Sequence, residues 1–324
     1  MLPVSQPAIA LTSLRIRDFR GIDQLTLDFC GPDGQPNGLV VLAGPNGCGK
    51  TTVLESALIG AGGSKLITGK RGRVAIRQGA NTYEIVAEFR GATGTWTTKD
   101  FAGLQDPHPP IHPVEHWYFS SWRVPELIGP IDATVGQRGR RPAKTDQNRL
   151  LNVKQRLVNL ATIDRFQTTF PGLGRYEGVV KLINGAWRDF YPDGGHEFAV
   201  EVVAPREKDT VGSFDVFFRT AGGIHLEVNL LSAGQLELFL FLAELALNQD
   251  REGIIFIDEP ELHLDPQWHR VILRSLRQLQ PRAQLIVATH SPEIYDAAMS
   301  YERHFLVAED DPRARAWPSV TAGA

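Results

Sequence analysis

The chain has 324 residues, 42% of them hydrophobic and 22% charged, with a formal net charge of -3. That supplies enough apolar side chain for a large core and no basic field over the whole surface, so any nucleic-acid contact has to come from a local patch. Two cysteines, Cys30 and Cys48, exclude a disulfide framework, and the longest apolar run, Leu236 to Leu247, is too short and too interrupted by Glu237 and Glu244 to cross a bilayer.

Met1 to Ala10 carries no basic residue and no apolar core, so no signal peptide and a cytoplasmic location are expected, with no membrane partner. Leu11 to Phe19 sets Leu14 and Ile16 against Arg15 and Arg17, the two-residue period of a half-buried strand. Ile22 to Phe29 repeats it after a turn at Arg20-Gly21. Leu39 to Ala43 is wholly apolar, as a central parallel strand requires, and it runs into a glycine-rich loop and a helix from Lys50 to about Ile59. Val74 to Ile76, Tyr83 to Phe89 and Gly94 to Thr98 read as antiparallel strands, and His116 to Ser121 as a further strand. Helices are predicted over Thr145 to Phe166 and Tyr176 to Phe190, then strands over Glu197 to Val203 and Ser213 to Arg219. Ser232 to Asn248 is apolar nearly all round, hence a buried helix. Ile254 to Ile257 and Leu285 to Ala288 are buried strands flanking a helix at His269 to Leu279.

Gly44-Pro45-Asn46-Gly47-Cys48-Gly49-Lys50-Thr51 satisfies the G-x-x-x-x-G-K-[ST] phosphate-loop pattern between a predicted strand and a predicted helix. Glycines let backbone N–H groups converge on phosphate oxygens, and the helix N-terminus, with Thr52 in its first turn, adds partial positive charge. Lys50 is placed to reach the β- and γ-phosphates of ATP, and Thr51 to ligate Mg²⁺. Asp258 and Glu259 end an apolar run, the first placed to complete the Mg²⁺ site and the second to take a proton from water.

Leu231-Ser232-Ala233-Gly234-Gln235, 26 positions before Asp258, resembles the signature of ABC ATPases with alanine at the first glycine. The resemblance implies that Ser232, Gly234 and Gln235 meet the γ-phosphate held by a second copy. Two further segments agree with that family. Glu261 to Pro266 is similar to its D-loop, with Asp265 as the acidic residue, and His290 in Ala288-Thr289-His290-Ser291-Pro292 matches its switch histidine. Leu14 to Gly21, Asp258 to His263 and Thr289 to Pro292 are similar to the SMC, RecF and OLD-type group of DNA-associated ATPases. That group implies ATP hydrolysis coupled to DNA repair or defence against foreign nucleic acid, a nucleotide-gated homodimer or higher homo-oligomer, and a separate effector such as a nuclease. A transporter's nucleotide-binding subunit, or an ATP switch with negligible hydrolysis, fits the same motifs.

The expected fold is an α/β P-loop NTPase of ABC type, with a mostly parallel sheet, an antiparallel β subdomain and a helical insertion. Residues 1–135 and 205–310 form the core, 136–204 the insertion and 311–324 a tail. No glutamine stands at the end of the strand at 116–121; Ser120, Ser121 and Arg123 lie there instead. Arg138, Arg140, Arg141 and Lys144, continued by Arg149, Lys154 and Arg156, form a basic cluster that is either a solvated loop or a nucleic-acid patch. His108, His112 and His116 are spaced evenly, but intervening prolines keep a helix from aligning them as zinc ligands.

Overall fold

The computed structural model describes residues 7, 9–63, 66, 77–81, 83–90, 96–99, 114–121, 149–166, 175–192, 194, 197–203, 213–220, 222–307 and 311–312. The chain divides into two compact units. The first comprises residues 1–121, 250–262 and 281–324, and the second residues 122–249 and 263–280.

Two sheets build the first unit. Strands β1 (Ala10–Phe19), β2 (Ile22–Asp28), β4 (Glu84–Arg90) and β5 (Trp96–Lys99) form an antiparallel sheet in the order β2-β1-β4-β5. The β1–β2 turn is the predicted one, with Phe19 opposite Ile22 across Arg20-Gly21. Val74 to Ile76 lies outside the described residues. The second sheet takes β3 (Leu39–Ala43), β6 (His116–Phe119), β10 (Gly253–Asp258), β11 (Ala283–Thr289) and β12 (Arg303–Phe305) in the order β12-β3-β11-β10-β6, with every pairing parallel. All residues of β3, β10 and β11 are buried, which explains their uninterrupted apolar runs.

Helix α1 (Lys50–Gly60) joins both sheets in one core. Its Val53, Leu54, Ala57 and Leu58 pack with Leu14 and Ile16 of the antiparallel sheet and with Val40, Phe256 and Ile286 of the parallel one. Gln284, fully buried in β11, is a second tie between the sheets. Its side-chain oxygen accepts from Leu11 N–H at 2.6 Å, and its amide donates to the carbonyls of Leu11 (3.0 Å) and Asn37 (2.9 Å). A polar residue in a central strand is tolerable because each bond it needs is supplied.

Helices α2 (Arg149–Phe166), α3 (Tyr176–Phe190), α4 (Ala233–Ala246) and α5 (His269–Leu279) and the antiparallel sheet β7 (Glu197–Val203), β8 (Ser213–Arg219) and β9 (His225–Glu227) form the second unit. Its centre is aromatic. Trp187 of α3 meets Phe198 edge-on at 4.9 Å, and Phe198 stacks on Phe239 of α4 at 4.5 Å.

The basic cluster read from the sequence is partly corrected here. Arg149 lies between Glu237 (2.9 Å) and Glu244 (3.0 Å), Lys154 is fully buried 2.6 Å from Asp215, and Arg156 donates to Leu247 O at 2.6 Å. These three cations fasten α2 within the unit instead of facing a polyanion. Arg138, Arg140, Arg141 and Lys144 lie outside the described residues, as do His108 and His112. His116 sets Nδ1 2.7 Å from Val114 O, an intrachain contact. Among the described residues no helix is long and apolar enough to cross a membrane.

Candidate functional site

In the first unit the chemistry-bearing residues gather at one edge of the parallel sheet. The phosphate loop follows β3, His290 follows β11, and Asp258 and Glu259 close β10, all at the C-terminal ends of three neighbouring strands. The loop's shape depends on glycine: Gly47 and Gly49 have φ of 79° and 98°, which side chains rarely adopt. Cys48 is half-buried, with Sγ 2.8 Å from where a Cβ on Gly44 would stand, so that glycine is needed for space as well. Asn46 and Gly47 are exposed at the loop's tip, while Pro45 is half-buried. Thr52 lies in the first turn of α1, its carbonyl accepting from Ser56 Oγ at 2.7 Å.

Lys50 is buried, and its ammonium donates to the loop's own carbonyls at Gly44 (2.9 Å) and Pro45 (3.0 Å). Thr51 Oγ1 lies 3.1 Å from both oxygens of Asp258. Burial first, and then the charge of Glu259, push the Asp258 carboxyl up to about 6, against opposing bonds from Thr51 and Ser121. A carboxylate raised this far gains from a nearby cation. Among the described residues no group of three or more His, Cys, Asp or Glu side chains could hold a metal by itself. Thr51 and Asp258 offer two oxygen ligands, which suits a hard ion whose shell phosphate and water complete.

Glu259 stands just past β10 with φ 51°, a left-handed conformation unusual for its type, and its N–H still bonds Ala288 O at 2.8 Å. His290 is 43% exposed, with Nδ1 3.8 Å from Glu259 Oε1 and 3.1 Å from Glu261 Oε1. Two members of this edge carry no role in the sequence reading. Ser121, just past β6, bonds Asp258, where the expected glutamine is missing. Glu261 is buried behind His290. The signal for Ser121 was its place at the strand end. For Glu261 it was the second carboxylate of Glu259-Pro260-Glu261.

The other predicted residues belong to the second unit. Ser232 caps α4 in a reciprocal box: its Oγ accepts from Gln235 N–H at 3.3 Å, and Gln235 Oε1 accepts from Ser232 N–H at 3.1 Å. A Cβ on Gly234 would stand 2.7 Å from His263 O, so this glycine admits a close backbone passage. Asp265 is exposed and caps the short turn Pro266–Trp268, accepting from Gln267 N–H at 3.0 Å.

A family profile described as "AAA domain, putative AbiEii toxin, Type IV TA system" matches residues 89–296, and another described as "AAA domain" matches residues 13–103. The Septu protein PtuA of Bacillus thuringiensis is 40% identical over 77 residues, 23% of this chain and 19% of that protein. The "Retron Vc95 probable ATPase" of Vibrio cholerae serotype O1 biovar El Tor is 33% identical over 89 residues, 24% of this chain and 17% of that one. The matched stretch thus spans less than a fifth of either relative's length. Two solved structures share the fold. An SMC head bound to the C-winged helix domain of ScpA aligns with a TM-score of 0.55 at 13% identity, covering 89% of this chain and 92% of that one. The Pyrococcus furiosus Smc head with an extended coiled coil, bound to the C-terminal domain of ScpA, aligns at 0.53 and 14% identity, covering 90% and 92%.

Proposed function

Because the chain belongs to the AAA-domain family whose profile spans residues 89–296, we propose that it binds ATP with Mg²⁺, hydrolyses it, and passes the resulting change of state to a separate effector in defence against phage. The observation that carries the reading is the meeting of Thr51 with Asp258, beside Lys50 and Glu259, at the C-terminal ends of neighbouring parallel strands. Backbone N–H groups from Asn46 to Thr51 cradle the phosphates, helped by the N-terminus of α1. Lys50 exchanges its bonds to the loop carbonyls for the β- and γ-phosphates. Thr51 and Asp258 would hold Mg²⁺, which would offset charge on the phosphate oxygens. Glu259 accepts the proton of a water whose oxygen bonds the γ-phosphorus while the bond to the β–γ bridging oxygen breaks. His290, beside Glu259, meets the γ-phosphate.

The exposed cap at Ser232, with Gly234, Gln235 and Asp265, suits a second role, that of closing over the nucleotide of another copy. A helix N-terminus presented to solvent attracts an anion. The Septu and retron relatives make a defence system the context for this switch, with a nuclease as one class of effector. Contact of Arg138, Arg140, Arg141 and Lys144 with nucleic acid remains part of the proposal.

The test is a pair of variants followed by equilibrium nucleotide binding and phosphate release. Lys50→Ala removes the charge that faces the phosphates and loses tight ATP binding. Glu259→Gln keeps the shape and the binding but loses the proton acceptor, so turnover falls by about 10²-fold or more. Unchanged turnover in Glu259→Gln would overturn the assigned base. Full ATP affinity in Lys50→Ala would overturn the site.

A further inference from the structure

The ring of His290 is exposed, yet it is held from behind by a carboxylate to which the phosphate chemistry above gives no task. The Glu261 side chain is 2% exposed. Its Oε1 accepts from the Thr289 hydroxyl at 2.7 Å and from His290 N–H at 2.8 Å, and lies 3.1 Å from His290 Nδ1. The Thr289 hydroxyl accepts in turn from Ser291 N–H at 2.9 Å, so the strand end is braced on both sides of residue 290. The other oxygen, Oε2, is buried and has no hydrogen-bond partner among the described residues.

This distribution is uneven in an informative way. Two hydrogen bonds and the 3.1 Å approach of His290 Nδ1 converge on one oxygen, while an equivalent oxygen stays buried without a partner among the described residues, which is costly. Bracing the strand end accounts for the bonds from the Thr289 hydroxyl and the His290 N–H, but not for the approach of the same oxygen to the ring. What Glu261 provides is direction. Two carboxylate oxygens lie near Nδ1, and that of Glu261 is closer, at 3.1 Å against 3.8 Å for Glu259. A proton on Nδ1 would face the nearer acceptor and leave Nε2 as the free nitrogen, as a carboxylate arranges behind a working histidine elsewhere in protein chemistry.

We propose that Glu261 is a positioning residue: it fixes the tautomer and ring orientation of His290, so that Nε2 is the nitrogen turned to the nucleotide. The assignment rests on the reading of His290 given under the proposed function. Glu261 touches no substrate. It acts through the histidine, and Thr289 is the hydroxyl that keeps its carboxylate in register.

The experiment is a double-mutant cycle with a spectroscopic arm. Glu261→Gln is nearly isosteric and keeps an acceptor oxygen for Thr289 and His290 N–H, so it folds. It lowers kcat for ATP by about 10–100-fold with KM nearly unchanged, and Glu261→Ala lowers it further. In a His290→Ala background Glu261→Gln has no further effect, because the residue it acts through is gone. In parallel, ¹⁵N spectra of histidine-labelled protein, with the His290 signal identified by its loss in His290→Ala, report the Nδ1–H tautomer in the wild type and a shift toward Nε2–H in Glu261→Ala. Losses that add in the cycle, or an unaltered tautomer in Glu261→Ala, would overturn the proposal. Wild-type turnover in His290→Ala would overturn the role of His290 instead, and the tautomer would still decide whether Glu261 orients the ring.

Discussion

At the scale of single residues, Asp258 shows most directly what the site costs the fold. Its carboxyl stands at about 6 instead of its ordinary 3.8, because it is buried beside another carboxylate. A group whose folded value is raised favours the folded state at low pH, and loses that advantage as pH rises from the unfolded value to the folded one. Stability of the protein in EDTA should therefore fall between about pH 4 and pH 6 through this residue. Asp258→Asn removes the ionisation, and should raise stability at pH 8 by about 1–3 kcal/mol while leaving it nearly unchanged at pH 4. Thermal unfolding at the two pH values checks this, and a less stable variant at pH 8 would contradict it. Asp258 and Glu259 were legible in the sequence because two charges after four apolar residues have few structural uses. Ser121 was not, since a serine past a strand shows nothing of the carboxylate it bonds until the strands are laid side by side.

Among the elements, α2 is the one whose sequence misleads. Arg149, Lys154 and Arg156 look like part of a basic patch, because their partners Glu237, Glu244, Asp215 and Leu247 lie about 60 to 95 positions away. Burial opposes the charge of Arg149, but Glu244 and Glu237 outweigh it and hold its pKa above the ordinary value. Arg149→Ala would strand two carboxylates on α4, the helix that Ser232 caps. It should cost about 3–5 kcal/mol, read as a lower thermal midpoint, and loss of less than 1 kcal/mol would mean that α2 is fastened elsewhere. The buried strands β3, β10 and β11 were legible for the opposite reason, since a strand covered on both faces has no room for polar alternation. β9 and β12 were missed because three residues, with no side chain fully buried, leave no period to detect.

For the whole molecule, the proposed pairing of copies predicts a change of mass. Glu259→Gln should accumulate a dimer in ATP and stay smaller without it, by light scattering. Ser232→Arg in that background should disperse the dimer by filling the approach to α4. A mass that ignores ATP in every variant would place any assembly interface away from the nucleotide. A different consequence lies in the order of the parallel sheet. β3, which carries the phosphate loop, is an early strand, yet its two neighbours are β11 and β12. Parallel neighbours cannot be supplied by a local hairpin, so β3 must wait for residues beyond 282 before either edge is paired. On the ribosome the loop is thus made long before it can be held in shape. Chains stopped ahead of residue 283 should retain no ATP on a filter, though they contain every residue from Gly44 to Glu259. Competence to bind nucleotide waits on β11 and β12, and a copy stopped before them stays silent.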